Sequence, residues 1–179
     1  MRQKMTDEKK AALRAECLKM RKTLERYEAH IEDFCGTKEF VNAQNIFCYV
    51  SFGSEIGTHL LLSEILRAGK TLLVPCCLDN DGHMCAVQIK DPKELKKGHF
   101  GIYEPEKRQP FLPQAIDAAI IPAAAYTKEG ARLGMGKGYY DRFLKETRAY
   151  KIGLIHRELV VENVYSREWD IGVDKLIEY

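Results

Sequence analysis

Asn45-Ile46-Phe47-Cys48-Tyr49-Val50-Ser51 and Thr71-Leu72-Leu73-Val74-Pro75 are two short apolar runs, and the segment between them decides the fold. Each run is continuous rather than alternating, the pattern of a strand covered on both faces. Between them, residues 55–68 carry Ile56, Leu60, Leu61 and Leu66 on one side of a helix, and Gly69 suits the position just past its end. Strand, helix, strand in that order is a βαβ unit, which favours parallel pairing.

Further strands extend the sheet. Ala118-Ala119-Ile120-Ile121-Pro122 and Lys151-Ile152-Gly153-Leu154-Ile155 are apolar runs of the same kind. Residues 84–90 make a weaker strand and residues 175–177 an edge strand. Short helices are expected over 37–41 and 139–150, and a single helical turn near Asp91-Pro92, closed by Gly98. Before all of these, Leu13, Cys17, Met20, Leu24, Tyr27 and Ile31 recur at helical spacing. They predict a long N-terminal helix over 6–33, capped by Thr6. The fold class is therefore α/β, a three-layer α/β/α single domain over 1–179 with a mostly parallel, mixed sheet.

Composition supports an ordinary globular domain. The 179 residues are 45% hydrophobic and 30% charged, with a net charge of +2. That balance gives no global argument for nucleic acid or a membrane surface. No window approaches a membrane span, and the first ten residues lack the apolar core of a signal peptide. A cytoplasmic monomer with reduced cysteines is expected. Cys76, Cys77, His83 and Cys85 are close in sequence, but adjacent cysteines in a strand face opposite ways and make a poor zinc set. The five histidines, His30, His59, His83, His99 and His156, show no paired metal spacing. Trp169 reads as a packing residue.

Residues 123–138 form a long loop, and loops of that length inside a domain are usually functional. Its end, Arg132-Leu133-Gly134-Met135-Gly136-Lys137-Gly138-Tyr139-Tyr140-Asp141-Arg142, has glycine at every second position, interleaved with cations. Bare backbone opening onto a helix start can cradle an anion, and the cations deepen the well. Asp141 suits a Mg²⁺ that the phosphates also hold. The spacing matches neither a Walker A loop nor a dinucleotide fingerprint, and a Gly-rich surface turn with solvated charges accounts for the same pattern. In open α/β sheets ligands bind beyond the strand C-termini, where residues 50–55, the Gly-rich loop and the region of Asp170 would converge.

Several ordered motifs together resemble the 5-formyltetrahydrofolate cyclo-ligase (methenyltetrahydrofolate synthetase) family over nearly the whole chain. They are Lys10-x-x-Leu13-Arg14, Ser51 with Glu55-Ile56-x-Thr58, Gly101-Ile102-x-Glu104-Pro105, Ile121-Pro122-x-x-Ala125-Tyr126, the Arg132–Asp141 signature, and Asp170 with Val173-Asp174. The resemblance implies ATP-dependent conversion of 5-formyltetrahydrofolate to 5,10-methenyltetrahydrofolate, with Mg²⁺. It further implies that Lys10, Arg14 and Arg132 to Tyr140 (Leu133, Gly134, Met135, Gly136, Lys137, Gly138 and Tyr139 between) contact ATP. Arg132 and Lys137 would be the catalytic cations, and Asp141 and Asp170 the metal carboxylates. Val50, Glu55 and residues Met135 to Tyr139 would face the folate. Thr127, often Asp in relatives, and Gly57 depart from the pattern. The alternatives are a catalytically silent nucleotide- and folate-binding relative, or an α/β enzyme of sugar-phosphate or CoA-ester chemistry.

Overall fold

The computed structural model describes residues 2–98 and 101–179; the expectation for His99 lies outside them. In chain order the elements are α1 (Arg2–Arg21), α2 (Lys38–Asn42), β1 (Asn45–Cys48), α3 (His59–Arg67), β2 (Thr71–Cys77), β3 (Met84–Ile89), β4 (Leu95–Lys97) and β5 (Tyr103–Pro105). Then come β6 (Ala118–Ile121), β7 (Ala125–Tyr126), β8 (Arg132–Leu133), α4 (Tyr139–Leu144), β9 (Tyr150–Ile155) and β10 (Lys175–Glu178).

Six strands form the central sheet in the order β10-β9-β6-β1-β2-β3. All pairings are parallel except β2 with β3, which run antiparallel. Side chains alternate across the sheet. Ile46, Cys48, Leu72 and Val74 join Phe34, Phe40, Leu61, Leu62 and Ile65 on the α2–α3 side. Phe47, Leu73, Ala119 and Ile121 join Cys17, Phe143 and Leu144 on the α1–α4 side. This gives the three layers, with central strands covered on both faces as their continuous apolar runs required.

Several boundaries differ from the sequence reading, each for a local reason. The first helix stops at Arg21, and Thr6 lies inside it rather than at its cap. Thr23 turns the chain by bonding Met20 O through both N–H and hydroxyl. Residues 27–29 then run extended beside Gly57: Gly57 N–H donates to Tyr27 O and Ala29 N–H to Gly57 O, both at 2.8 Å. The helical stripe thus continues past the helix, and Tyr27 and Met20 are exposed. The Glu28 carboxylate occupies the space where a Cβ at position 57 would lie, so a larger residue there would displace that side chain.

Helix α3 starts at His59, because residues 55–57 are engaged in that crossing and in the turn after β1. Leu62 and Ile65 are buried, and Leu60 is exposed, against expectation. Helix α4 ends at Leu144, where Thr147 folds back on Leu144 O. The expected helix over 139–150 is thus half as long. The loop 123–138 contains the β7–β8 hairpin, so the Gly-rich run follows a strand directly. Gly98 bonds Ile102 across a second hairpin, β4–β5, instead of closing a helical turn.

Candidate active site

A cavity of about 850 Å³ opens beyond the C-terminal ends of β1, β2 and β6. Tyr49, Val50, Pro75, Cys77 and Pro122 form its floor. The sheet changes direction of growth between β1 and β6, so this is the switch-point crevice of an open α/β sheet. The turn after β1 supplies Phe52 and Glu55, the end of α1 supplies Leu18 and Arg21, and the Gly-rich loop forms the opposite wall.

That loop is held by its carbonyls. Arg14 Nε donates to Gly134 O at 2.7 Å, and Arg142 Nη1 donates to Lys137 O at 2.8 Å. Tyr139 Oη donates to Asp79 O at 2.7 Å, tying the loop to the β2–β3 turn. Among the described residues, the N–H groups of Gly134, Met135, Gly136 and Gly138 donate to no protein acceptor. Gly136 and Gly138 have φ of 103° and 73°, a region that a side chain disfavours. Carbonyls occupied by cations and amides left over describe a main-chain anion cradle.

Cations and carboxylates beside the loop are paired with one another. Lys10 Nζ meets Asp170 Oδ2. Arg132 Nη2 donates to Asp141 Oδ1 at 2.7 Å, and Ile171 N–H reaches the same oxygen at 3.0 Å. Arg132 also donates to Ile171 O at 3.1 Å, and its side chain is only 3% exposed. Burial pushes the Asp141 carboxyl up, but Arg132, the Ile171 N–H and Lys10 outweigh it and hold it below the ordinary range. Asp141 Oδ2 and Asp170 Oδ1 accept no protein hydrogen bond among the described residues. Each carboxylate thus keeps one open oxygen, the kind of hard donor that a hydrated dication such as Mg²⁺ takes.

On the other wall, Glu55 Oε2 accepts Phe52 N–H at 2.9 Å. Burial raises the Glu55 carboxyl, opposed by that N–H and by Arg21. Val50 is buried in the floor.

A family profile, that of the 5-formyltetrahydrofolate cyclo-ligase family, matches residues 1–178. The chain belongs to the 5-formyltetrahydrofolate cyclo-ligase family. It is 30% identical to the 5-formyltetrahydrofolate cyclo-ligase of Haemophilus influenzae, over 93% of this chain and 96% of that one. The solution structure of the Aquifex aeolicus 5,10-methenyltetrahydrofolate synthetase superposes with a TM-score of 0.81 at 30% identity, covering 94% of this chain and 89% of that one. The Mycoplasma pneumoniae 5,10-methenyltetrahydrofolate synthetase shares the fold, with a TM-score of 0.69 at 22% identity over 94% and 97% of the two chains. The chain is thus a ligase of the class that cyclises 5-formyltetrahydrofolate to the methenyl form, with ATP as co-substrate.

Within this cyclo-ligase cavity, Val50, Glu55, Arg132, Gly134, Met135, Lys137, Gly138, Tyr139, Tyr140 and Asp141 all contribute to the lining. Gly136 lies beside the Arg14 guanidinium instead. Leu133 is buried, with its carbonyl taken by Ala124 N–H. Lys10, Arg14 and Asp170 stand behind the loop in contact with it or with each other. Trp169 is exposed and stacked by Arg167 rather than packed. His30 is an exposed histidine beside Glu32 and Glu64, with ligand-type atoms within 4.8 Å of one another, and none of the three lines the cavity. His83 pairs with Asp79 at 2.6 Å, and all six cysteines are free thiols. Cys76 is buried while Cys77 faces the cavity, so the two do face opposite ways.

The sequence reading missed Arg21. A basic residue in the last turn of a helix is ordinarily a surface residue near the negative helix end. Its burial follows from where the helix stops, which the uninterrupted stripe concealed.

Proposed function

We propose that this ligase phosphorylates the formyl oxygen of 5-formyltetrahydrofolate with ATP inside the cavity described above. The observation that carries the reading is that one cavity has an amide-lined Gly loop on one wall and the Glu55 carboxylate on the other.

A formyl oxygen leaves badly, and phosphorylation turns it into a good leaving group. The γ-phosphoryl group moves to that oxygen and ADP remains. N10 then attacks the formyl carbon, the ring closes, N10 gives up its proton, and the C–O bond breaks to release phosphate. Such transfer rests on positioning and charge neutralisation rather than on a protein nucleophile. The free amides of Gly134, Met135 and Gly138 bind phosphate oxygens, and Gly136 gives the ATP loop the turn that presents them. Lys137 follows the transferring group, and Arg132 contributes its charge while fixing Asp141. Lys10 and Arg14 support the triphosphate from α1. Mg²⁺, held by Asp141 and Asp170, supplies further charge neutralisation when bound. Glu55 accepts hydrogen bonds from pterin N–H donors, and Val50 and Tyr139 pack against the folate.

The enzyme is read as a cytoplasmic monomer, a compartment in keeping with six cysteines that are all free thiols. The direct experiment follows methenyltetrahydrofolate absorbance with and without ATP, alongside calorimetric titration of ATP with Mg²⁺. Product formed only with ATP is expected. Product formed without ATP refutes the phosphorylation step, and folate binding without any turnover favours a silent relative.

A further inference from the structure

At the edge of the cavity, the buried Arg21 side chain joins α1 to the turn after β1 and to the segment after β6. Nε donates to Ser54 Oγ at 3.2 Å and Nη1 to Ala123 O at 3.2 Å. Nη1 stands 3.9 Å from Glu55 Oε1, close enough for strong Coulomb attraction but beyond hydrogen-bond reach. The other Glu55 oxygen is fixed by Phe52 N–H. Glu55 is therefore held at one end and charge-balanced at the other, and Oε1 keeps its lone pairs for an incoming donor. We infer that Arg21 is a positioning residue that orients Glu55 and keeps it a carboxylate for the folate substrate. The inference rests on the reading that Glu55 meets the pterin.

The surroundings leave this task to Arg21. The groups facing Glu55 are Tyr49 from β1, Tyr126 from β7, Tyr140 from α4 and His156 beyond β9. Burial raises all three phenols, so they stay neutral, and burial lowers His156, which stays neutral as well near pH 7. Among these groups Arg21 alone supplies positive charge. A protonated Glu55 would present one oxygen as a hydroxyl donor to N–H groups that need an acceptor.

The test is steady-state kinetics of the full chain, with 5-formyltetrahydrofolate varied at saturating ATP from pH 5.5 to 8. It compares Arg21→Met, Arg21→Lys, Glu55→Gln and the double variant Arg21→Met/Glu55→Gln. Arg21→Met is expected to raise the folate KM about tenfold, as loss of a charged partner should. The same variant should move the acid limb of kcat/KM up by about one pH unit while leaving the ATP KM in place. Arg21→Lys keeps the charge and should keep the limb near its original position, which covers the case in which Arg21→Met fails to fold. In the Glu55→Gln background the Arg21 substitution should add little. A wild-type folate KM and limb in Arg21→Met, with Glu55→Gln impaired, overturns this inference alone. A limb displaced equally in Arg21→Lys also overturns it. A wild-type folate KM in Glu55→Gln overturns both the inference and the pterin reading beneath it.

Discussion

Replacing Asp141 with Asn should cost both stability and metal use, and the two costs can be separated. Asp141 Oδ1 accepts a charged donor, Arg132 at 2.7 Å, and the Ile171 N–H at 3.0 Å. Asn keeps the acceptor oxygen but not the charge, so each bond falls from the charge-assisted to the neutral class, a loss of about 1 kcal/mol apiece. Arg132, buried at 3% side-chain exposure, is then left with an uncompensated charge, which brings the total to about 2–4 kcal/mol. For a chain of this size that is a fall in Tm of about 4–16 °C. The pH dependence has a definite sign. A carboxyl held below its unfolded value stabilises above that value and loses the contribution as pH falls through the folded one. The wild type should therefore weaken through the acid range below about pH 4, and the Asn variant should lack that component. Urea unfolding in chelator from pH 2.5 to 7 measures this. Activity against Mg²⁺ concentration, at a temperature where both proteins are folded, measures the second cost, and the variant should require more metal. Equal urea midpoints at pH 7 would refute the ion-pair reasoning, and an unchanged Mg²⁺ titration would refute the metal role.

Lys137→Ala should raise the ATP KM and lower kcat while shifting stability by less than about 0.5 kcal/mol, since an exposed loop side chain buries little; chemical denaturation beside kinetics checks both. Gly136→Ala should weaken ATP binding, because its φ of 103° disfavours a side chain and would strain the loop; calorimetry reads the loss, and an unchanged affinity would count against the cradle. Glu55→Gln should gain stability relative to wild type as pH rises from 4 to 7. A carboxyl raised by burial loses stability as pH rises through its folded value, whereas Gln does not titrate; parallel melting curves across that range would contradict the burial argument.

The fold was readable where burial writes a simple pattern. The apolar runs at 45–50, 71–75, 118–122 and 151–155 are strands in place, because central parallel strands leave no polar face to confuse the signal. Helix lengths were less legible. The stripe from Leu13 to Ile31 spans a helix, a turn and an extended segment, and tertiary pairing with Gly57 overrides the local preference. The Gly-rich loop was readable as a candidate site because its composition is unusual, and it does line the cavity. Which cation faces which carboxylate was not readable. Lys10 with Asp170 and Arg132 with Asp141 are pairs that only the folded arrangement defines, as is the buried station of Arg21.

Lys10 and Asp170 stand 160 positions apart in sequence and touch in space, and Asp7 and Arg167 make a second clasp beside them. During synthesis the sheet strands β1, β2 and β6 emerge long before residue 170 does. Strands from the middle of the sheet can therefore pair before the side chains of that clasp have met. The clasp closes last, when the loop around residue 170 reaches back to the first helix.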